Sequence, residues 1–219
     1  MKEITVKIPP TNGWLEYKLN KKELDYVWRC VENQKGDYKH SLAGNIEASN
    51  LLLDRSDWFF RTTVRPLIIE YEKQFGCLGN NFPSNQRFEY HMNTWWVNYQ
   101  KKNEFNPVHN HGGIYSFVLW LKIPTTYFEQ NKKLISLKSN APSISNFEFL
   151  YTDTLGWIRN FPYEMNPDKE GMLLFFPAHL KHQVYPFYDC DETRISVSGN
   201  VQYNTTRVLH QGDDKLGAL

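Results

Sequence analysis

With 219 residues, the chain is long enough for one sizeable core, and no Gly/Ser-rich or Pro-rich linker divides it, so a single domain over 1–219 is expected. Its 25 basic and 24 acidic residues leave a formal net charge of +1, which excludes the global field that draws proteins to nucleic acid or anionic membranes. The scattered Cys30, Cys77 and Cys190 lack zinc-site or disulfide spacing, no stretch reaches membrane-span length, and MKEITVKIPP lacks the apolar core of a signal peptide, so a soluble, cytoplasmic protein with reduced thiols is expected.

In chain order, KEITVKI and WLEYKL alternate apolar and polar residues around PPTNG, which predicts an opening pair of strands. Asn20 then caps a predicted helix over NKKELDYVWRCVENQ, where Leu24, Val27, Trp28 and Val31 share one stripe. DYKHSLAGNIEAS is polar and turn-rich. A second helix is predicted from about Ser56 to Gly76 or Gly79, kinked at Pro66.

From RFEYHMNTWWVNYQ at 87 onward the chain reads as strands, and helical periodicity is not expected to return. IYSFVLWLKI, SNFEFLYTD, GMLLFFP, KHQVYPF and RISVSGNVQY are the clearest segments. Helices followed by many short strands predict an α+β architecture, a β-sandwich or barrel with helices packed on one face. The division expected is a helical and hairpin part at 1–86, a β core at 87–203 and a frayed tail at 204–219. The polar insertion FEQNKKLISLKSNAPSIS and the N-terminal half are expected to shape the entrance to any site. With 16% aromatic residues, Trp95, Trp96 and Trp157 read as core rings before cleft-lining ones.

Four of the seven histidines fall in two tight groups, His109 with His111 and His179 with His182. On a strand, residues i and i+2 face the same way, so His109 and His111 can aim both rings at one point, a pattern suited to a divalent transition metal. A third ligand has to come from the later group. Arg194, Ser196, Ser198 and Asn200 share one face of a strand whose other face is Ile195, Val197, Gly199 and Val201. The apolar face belongs against the helices, which turns Arg194 inward. A buried guanidinium needs an anion, either an internal carboxylate or, beside a histidine metal centre, a dicarboxylate cosubstrate.

In order, NTWWVN at 93–98, HNHGG at 109–113, SFVLWL at 116–121, EGMLLFFPAHLKHQV at 170–184 and RISVSGN at 194–200 resemble the Fe(II)/2-oxoglutarate-dependent oxygenases of the double-stranded β-helix, jelly-roll or cupin-like fold. More narrowly, they are similar to the 2-oxoglutarate oxygenases with an H-x-H, H and R-I-S signature. The resemblance covers about 87–202. It implies an enzyme, a hydroxylase using Fe(II), 2-oxoglutarate and O2 on an unidentified small molecule or protein side chain, with succinate and CO2 as products. It implies His109 and His182 as iron ligands, with His111 where better-known members carry Asp. Arg194 becomes the clamp on the distal carboxylate, Ser196 stands beside it, and Asn98 and Tyr99 are implied as cosubstrate-pocket residues. Departures from the pattern are His111 for Asp, Gly112 for Pro, His179 for Trp and Trp120 for Tyr. His111 leaves either a three-His centre or a two-His centre with an open position. A cupin-like three-His metalloenzyme that does not use 2-oxoglutarate, and an inactive binding module on the same fold, are the alternatives.

Overall fold

Large side chains on both faces of two central strands decide the architecture, because such strands must be covered twice. The computed structural model describes residues 5–6, 11–78, 87–141 and 143–209. Its elements are β1 (Leu15–Lys18), α1 (Lys21–Glu32), β2 (Gly36–Asp37), β3 (Ala48–Leu51), α2 (Arg65–Phe75), β4 (Arg87–Gln100), β5 (Asn106–His109), β6 (Tyr115–Lys122), α3 (Tyr127–Asn131), α4 (Leu134–Leu137), β7 (Phe147–Thr152), β8 (Ile158–Tyr163), β9 (Met172–Pro177), β10 (Lys181–Val184) and β11 (Arg194–Leu209). They build a major sheet in the order β1-β9-β6-β11-β4-β3-β2 and a minor sheet β5-β10-β7-β8.

Along β6, Tyr115, Phe117, Leu119 and Leu121 enter one core while Val118 and Trp120 enter another, and along β9 Leu173 and Phe175 oppose Leu174 and Phe176. The first core fills the space beneath the helices with Val27, Val31, Leu67, Ile68 and Tyr71. The second lies between the sheets with Phe147, Phe149 and Tyr163. Truncating any of these buried Phe side chains to Ala would cost about 3–5 kcal/mol. The result is the expected α+β arrangement of two facing sheets backed by helices, but the sheets do not close into a continuous barrel. At Gly199 a Cβ would lie 2.5 Å from the Phe117 ring, so the β11 backbone lies close against the helix-side core.

Asn20 and Glu23 form a reciprocal capping box at the start of α1. Glu23 is buried and also accepts from Tyr17 and Thr63, so the cap doubles as an anchor to α2's approach. Val27, Cys30 and Val31 are the buried stripe, with Leu24 and Trp28 at its margin. The kink expected at Pro66 takes the form of a π-turn over Phe60–Val64, with Arg65 N–H donating to Phe60 O. Proline has no N–H and its ring crowds the carbonyl four residues back, and the wider turn relieves that crowding.

Several expectations change. β1 pairs with β9 and not with a preceding strand; Thr5 and Val6 are not in a strand, and the rest of KEITVKI lies outside the described residues. β3, within and after the turn-rich stretch, extends the major sheet by pairing with β4; four residues are too few to show alternation. Helix returns in α3 and α4, and the Thr126-x-x-Glu129 capping box that starts α3 was the available signal. β8, exposed from Ile158 to Pro162, shows no apolar alternation and was not foreseen. The tail stays in the sheet as far as Leu209, where β11 regains pairing with β4 after a register shift.

Candidate metal centre and cosubstrate pocket

β5 and β10 are antiparallel neighbours, and their register sets His109 directly opposite His182. His182 is buried among Phe147, Phe149 and Phe176, with ring centroids 5.5, 6.2 and 5.1 Å away. His111 arrives differently from the strand parity expected, because β5 ends at His109. His111 N–H donates to Ala178 O at 2.8 Å, and Ile114 N–H to Val201 O at 2.8 Å, so a short loop bonded to β11 swings the ring in. Gly113 makes that loop possible: its φ is +108°, and a Cβ there would lie 2.7 Å from Val201 O. Gly113→Ala is expected to cost about 1–3 kcal/mol and to weaken metal uptake by displacing His111. Denaturant unfolding and metal titration of the variant measure the two effects.

The ligand-capable nitrogens of His109, His111 and His182 lie within 4.8 Å of one another, and the Nε2 atoms of His111 and His182 are 3.1 Å apart. Two nitrogens bound at about 2.1 Å to one ion are at most about 4.2 Å apart. An ion held by all three rings would draw the widest-spaced nitrogens closer together. His109 Nδ1 donates to Pro107 O at 2.7 Å and His182 Nδ1 to Leu180 O at 2.9 Å. A carbonyl can only accept, so both Nδ1 atoms carry the proton and both Nε2 atoms present a lone pair. His111 has no such carbonyl; without metal its Nε2–H is the donor to His182 Nε2, and binding a metal there requires the other tautomer.

Burial depresses all three rings: His109 below its ordinary value, His111 to about 3 with a further push from His109, and His182 well below with pushes from His109 and His111. Neutral imidazoles are the form a metal needs. A depressed folded-state pKa means that the unfolded chain takes protons the folded rings refuse, starting at about 6.5. Metal-free protein is expected to hold its stability above that pH and to lose it below, with His111 contributing about 1.4 kcal/mol per pH unit and the other two rings acting in the same direction. Denaturation midpoints between pH 5 and pH 8 show this, and His111→Gln flattens the slope. His179 is exposed on the turn before β10, away from the group.

A cavity of about 230 Å³ opens between the sheets beside the imidazoles. Arg194 lies at its edge, 1% exposed, with Nη1 donating to Gln100 Oε1 at 3.4 Å and Nη2 to Ser145 Oγ at 2.5 Å. Its Nε is buried without a partner, and among the described residues no carboxylate pairs with it. Burial lowers its pKa to about 9, which still leaves it cationic at neutral pH. Ser196 and Asn98 line the cavity, and Asn98 Oδ1 accepts from Ser49 Oγ at 2.8 Å. Tyr99 does not: it stands on the opposite face of β4, packed toward the helix-side core with its hydroxyl donating to Gln34. Strand parity alone separates Asn98 from Tyr99. The same parity marks Gln100, which the sequence reading missed, whereas Ser145, in a loop with φ +64°, gave no signal. Trp96 lines the cavity, Trp95 packs in the helix-side core, and Trp157 is 62% exposed, against the expectation of a core ring. Residues of the 38–46 stretch wall the cavity, as expected of the N-terminal half, while the insertion reaches the pocket through Ser145 holding Arg194.

The residues present fit iron and a dicarboxylate. Neutral nitrogen donors converge on one point, and a buried cation without a counter-anion faces the same cavity.

Residues 94–200 match the family described as "Putative 2OG-Fe(II) oxygenase". No curated protein matches the chain. Among solved structures, a Pseudomonas putida prolyl-4-hydroxylase is similar at 14% identity, with 89% of this chain and 94% of that one covered and a TM-score of 0.51. A Trichoplax adhaerens prolyl hydroxylase in complex with a hypoxia inducible factor oxygen degradation domain peptide fragment is similar at 15% identity, 88% and 82% coverage and a TM-score of 0.50. A non-heme alpha ketoglutarate dependent carbocyclase from nogalamycin biosynthesis is similar at 8% identity, 88% and 82% coverage and a TM-score of 0.50. These likenesses show the fold, the double-stranded β-helix. The family match covers just under half of the chain and spans the three imidazoles and Arg194, so across its site this chain resembles the 2OG-Fe(II) oxygenases.

Proposed function

We propose that His109, His111 and His182 hold Fe(II) through Nε2, that Arg194 receives the distal carboxylate of 2-oxoglutarate flanked by Ser196 and Asn98, and that the enzyme hydroxylates its substrate. The observation that carries this is Arg194, a buried guanidinium with no internal carboxylate among the described residues, at the edge of the cavity that holds three neutral imidazoles. Hydroxylases are among the proteins of like fold. No described helix is long and apolar enough to cross a membrane, and three free thiols support a reducing compartment such as the cytoplasm.

When bound, iron supplies the place where 2-oxoglutarate and O2 react to give succinate and CO2, one oxygen atom going to succinate and the other to a substrate C–H. The chain's own contribution is positional. Pro107 O and Leu180 O hold two rings with their lone pairs inward. Gln100 and Ser145 aim the Arg194 fork, leaving Nε free for the incoming carboxylate. Trp120, Phe147 and Phe176 wall the pocket and keep water from the reacting groups.

Anaerobic titration of Fe(II)-loaded protein with 2-oxoglutarate tests this through the metal-to-ligand charge-transfer band. A saturable band is expected, and it persists in His179→Ala. A metal-loaded wild type without a band would leave a three-His enzyme that does not use 2-oxoglutarate.

A further inference from the structure

The cavity is lined by Asn200 as well as by the imidazoles and Arg194. Trp96 is the register partner of Ser198 and lies 5.7 Å from the His111 ring, so the imidazoles sit above the Ser198 row of the major sheet. Arg194 is four residues from that row in one direction, about 13 Å, and Asn200 is two residues in the other, about 7 Å, at the strand rise of about 3.3 Å. A cosubstrate running from Arg194 to the metal leaves the Asn200 end free. There Asn200 is hydrogen-bonded to Ser116 Oγ at 3.1 Å, which fixes its carboxamide and leaves the other half of the amide facing the cavity. The β4 strand slips register between the partners of Asn200 and Val201, an irregularity of the kind that re-aims side chains beside active sites. Tyr38 packs on Trp96 with ring centroids 5.6 Å apart and planes tilted by 44°, adding a second aromatic ring to the wall.

Charge decides the class of ligand. Among the described residues lining the cavity there is no Asp, Glu or Lys, and the one guanidinium is committed to the cosubstrate. Lys39, beside Tyr38, is held by the Gly44 carbonyl. A charged group entering this end would be desolvated without a partner, at a cost of several kcal/mol. A planar amide can instead lie against the Trp96 ring, edged by Tyr38, with its carbonyl accepting from the Asn200 NH2 that the Ser116 bond to Oδ1 leaves over.

Resting on the proposed function, we infer that the substrate's reacting end is uncharged and carries an amide, and that Asn200, Tyr38 and Trp96 determine its specificity. The reaction is R–H + 2-oxoglutarate + O2 giving R–OH + succinate + CO2, with the C–H beside the amide-bearing group presented to the metal.

The test uses the Fe(II)-loaded full chain with 2-oxoglutarate, O2 and N-acetyl, C-methylamide derivatives of Asn and Gln, compared with those of Asp, Glu and Lys. The carboxamide compounds are expected to raise succinate release several-fold above the substrate-free rate and to gain one oxygen in mass, and the charged compounds to do neither. Asn200→Asp is expected to raise the KM for the carboxamide compounds about tenfold while the KM for 2-oxoglutarate stays put, and Tyr38→Ala to act in the same direction should the first variant misfold. Equal stimulation by charged compounds overturns the inference. So does silence from every carboxamide in a protein that still shows the 2-oxoglutarate band, as does an Asn200→Asp effect falling on 2-oxoglutarate. Loss of the band in wild type removes the proposed function and the inference together.

Discussion

His182→Ala is expected to abolish the iron–2-oxoglutarate band and turnover, with metal affinity falling by more than about 100-fold, since even outer partners of a ligand are worth about 10–100-fold. Three features concentrate the effect at this residue. Its Nδ1 is fixed by Leu180 O, its Nε2 faces the other two rings, and its burial among Phe147, Phe149 and Phe176 leaves no side chain able to replace it. The fold survives, because the loss is one hydrogen bond and a small cavity, about 1–3 kcal/mol. His179→Ala, changed on an exposed turn, leaves both quantities alone. Retention of tight Fe(II) binding by His182→Ala, measured by equilibrium dialysis, would remove the proposed ligand set.

Arg194→Met separates binding from stability. The 2-oxoglutarate KM is expected to rise by about 100-fold or more, matching the about 2–5 kcal/mol lost when one partner of a buried charge pair is removed. The ligand-free protein is expected to unfold at a higher temperature than wild type. The guanidinium is buried, has an unpartnered Nε and no carboxylate among the described residues, so the resting fold bears its desolvation with two neutral hydrogen bonds and a place over the Phe187 ring in return. Methionine fills similar space without that cost. Calorimetry of both proteins without ligand, with and without added 2-oxoglutarate, shows the inversion: wild type gains from the ligand and the variant does not. A variant less stable than wild type, with unchanged KM, would make Arg194 a structural residue.

What could be read from the sequence depended on period. Arg194, Ser196, Ser198 and Asn200 on one face of β11, and Val197 with Val201 on the other, follow from alternation alone, and the cavity lies on the side so predicted. The same rule, applied along β4, excludes Tyr99 and admits Gln100. His111 illustrates what alternation cannot reach: β5 stops two residues earlier, and the ring's position depends on hydrogen bonds to Ala178 and Val201, residues far along the chain. Ser145 is another such case, placed by a loop with a positive φ. β3 and β8 were invisible because short strands at or near a sheet margin owe their pairing to neighbours and carry no face of their own to bury.

His109 and His182 belong to the minor sheet, whereas the loop bearing His111 is bonded to β11 of the major sheet through Ile114. An ion gripping all three would therefore act as a clasp across the seam between two layers that share no backbone ladder among the described residues. Each tenfold excess of free metal over its dissociation constant tightens that seam by about 1.4 kcal/mol, so a chelator would loosen the mouth of the pocket as well as empty it.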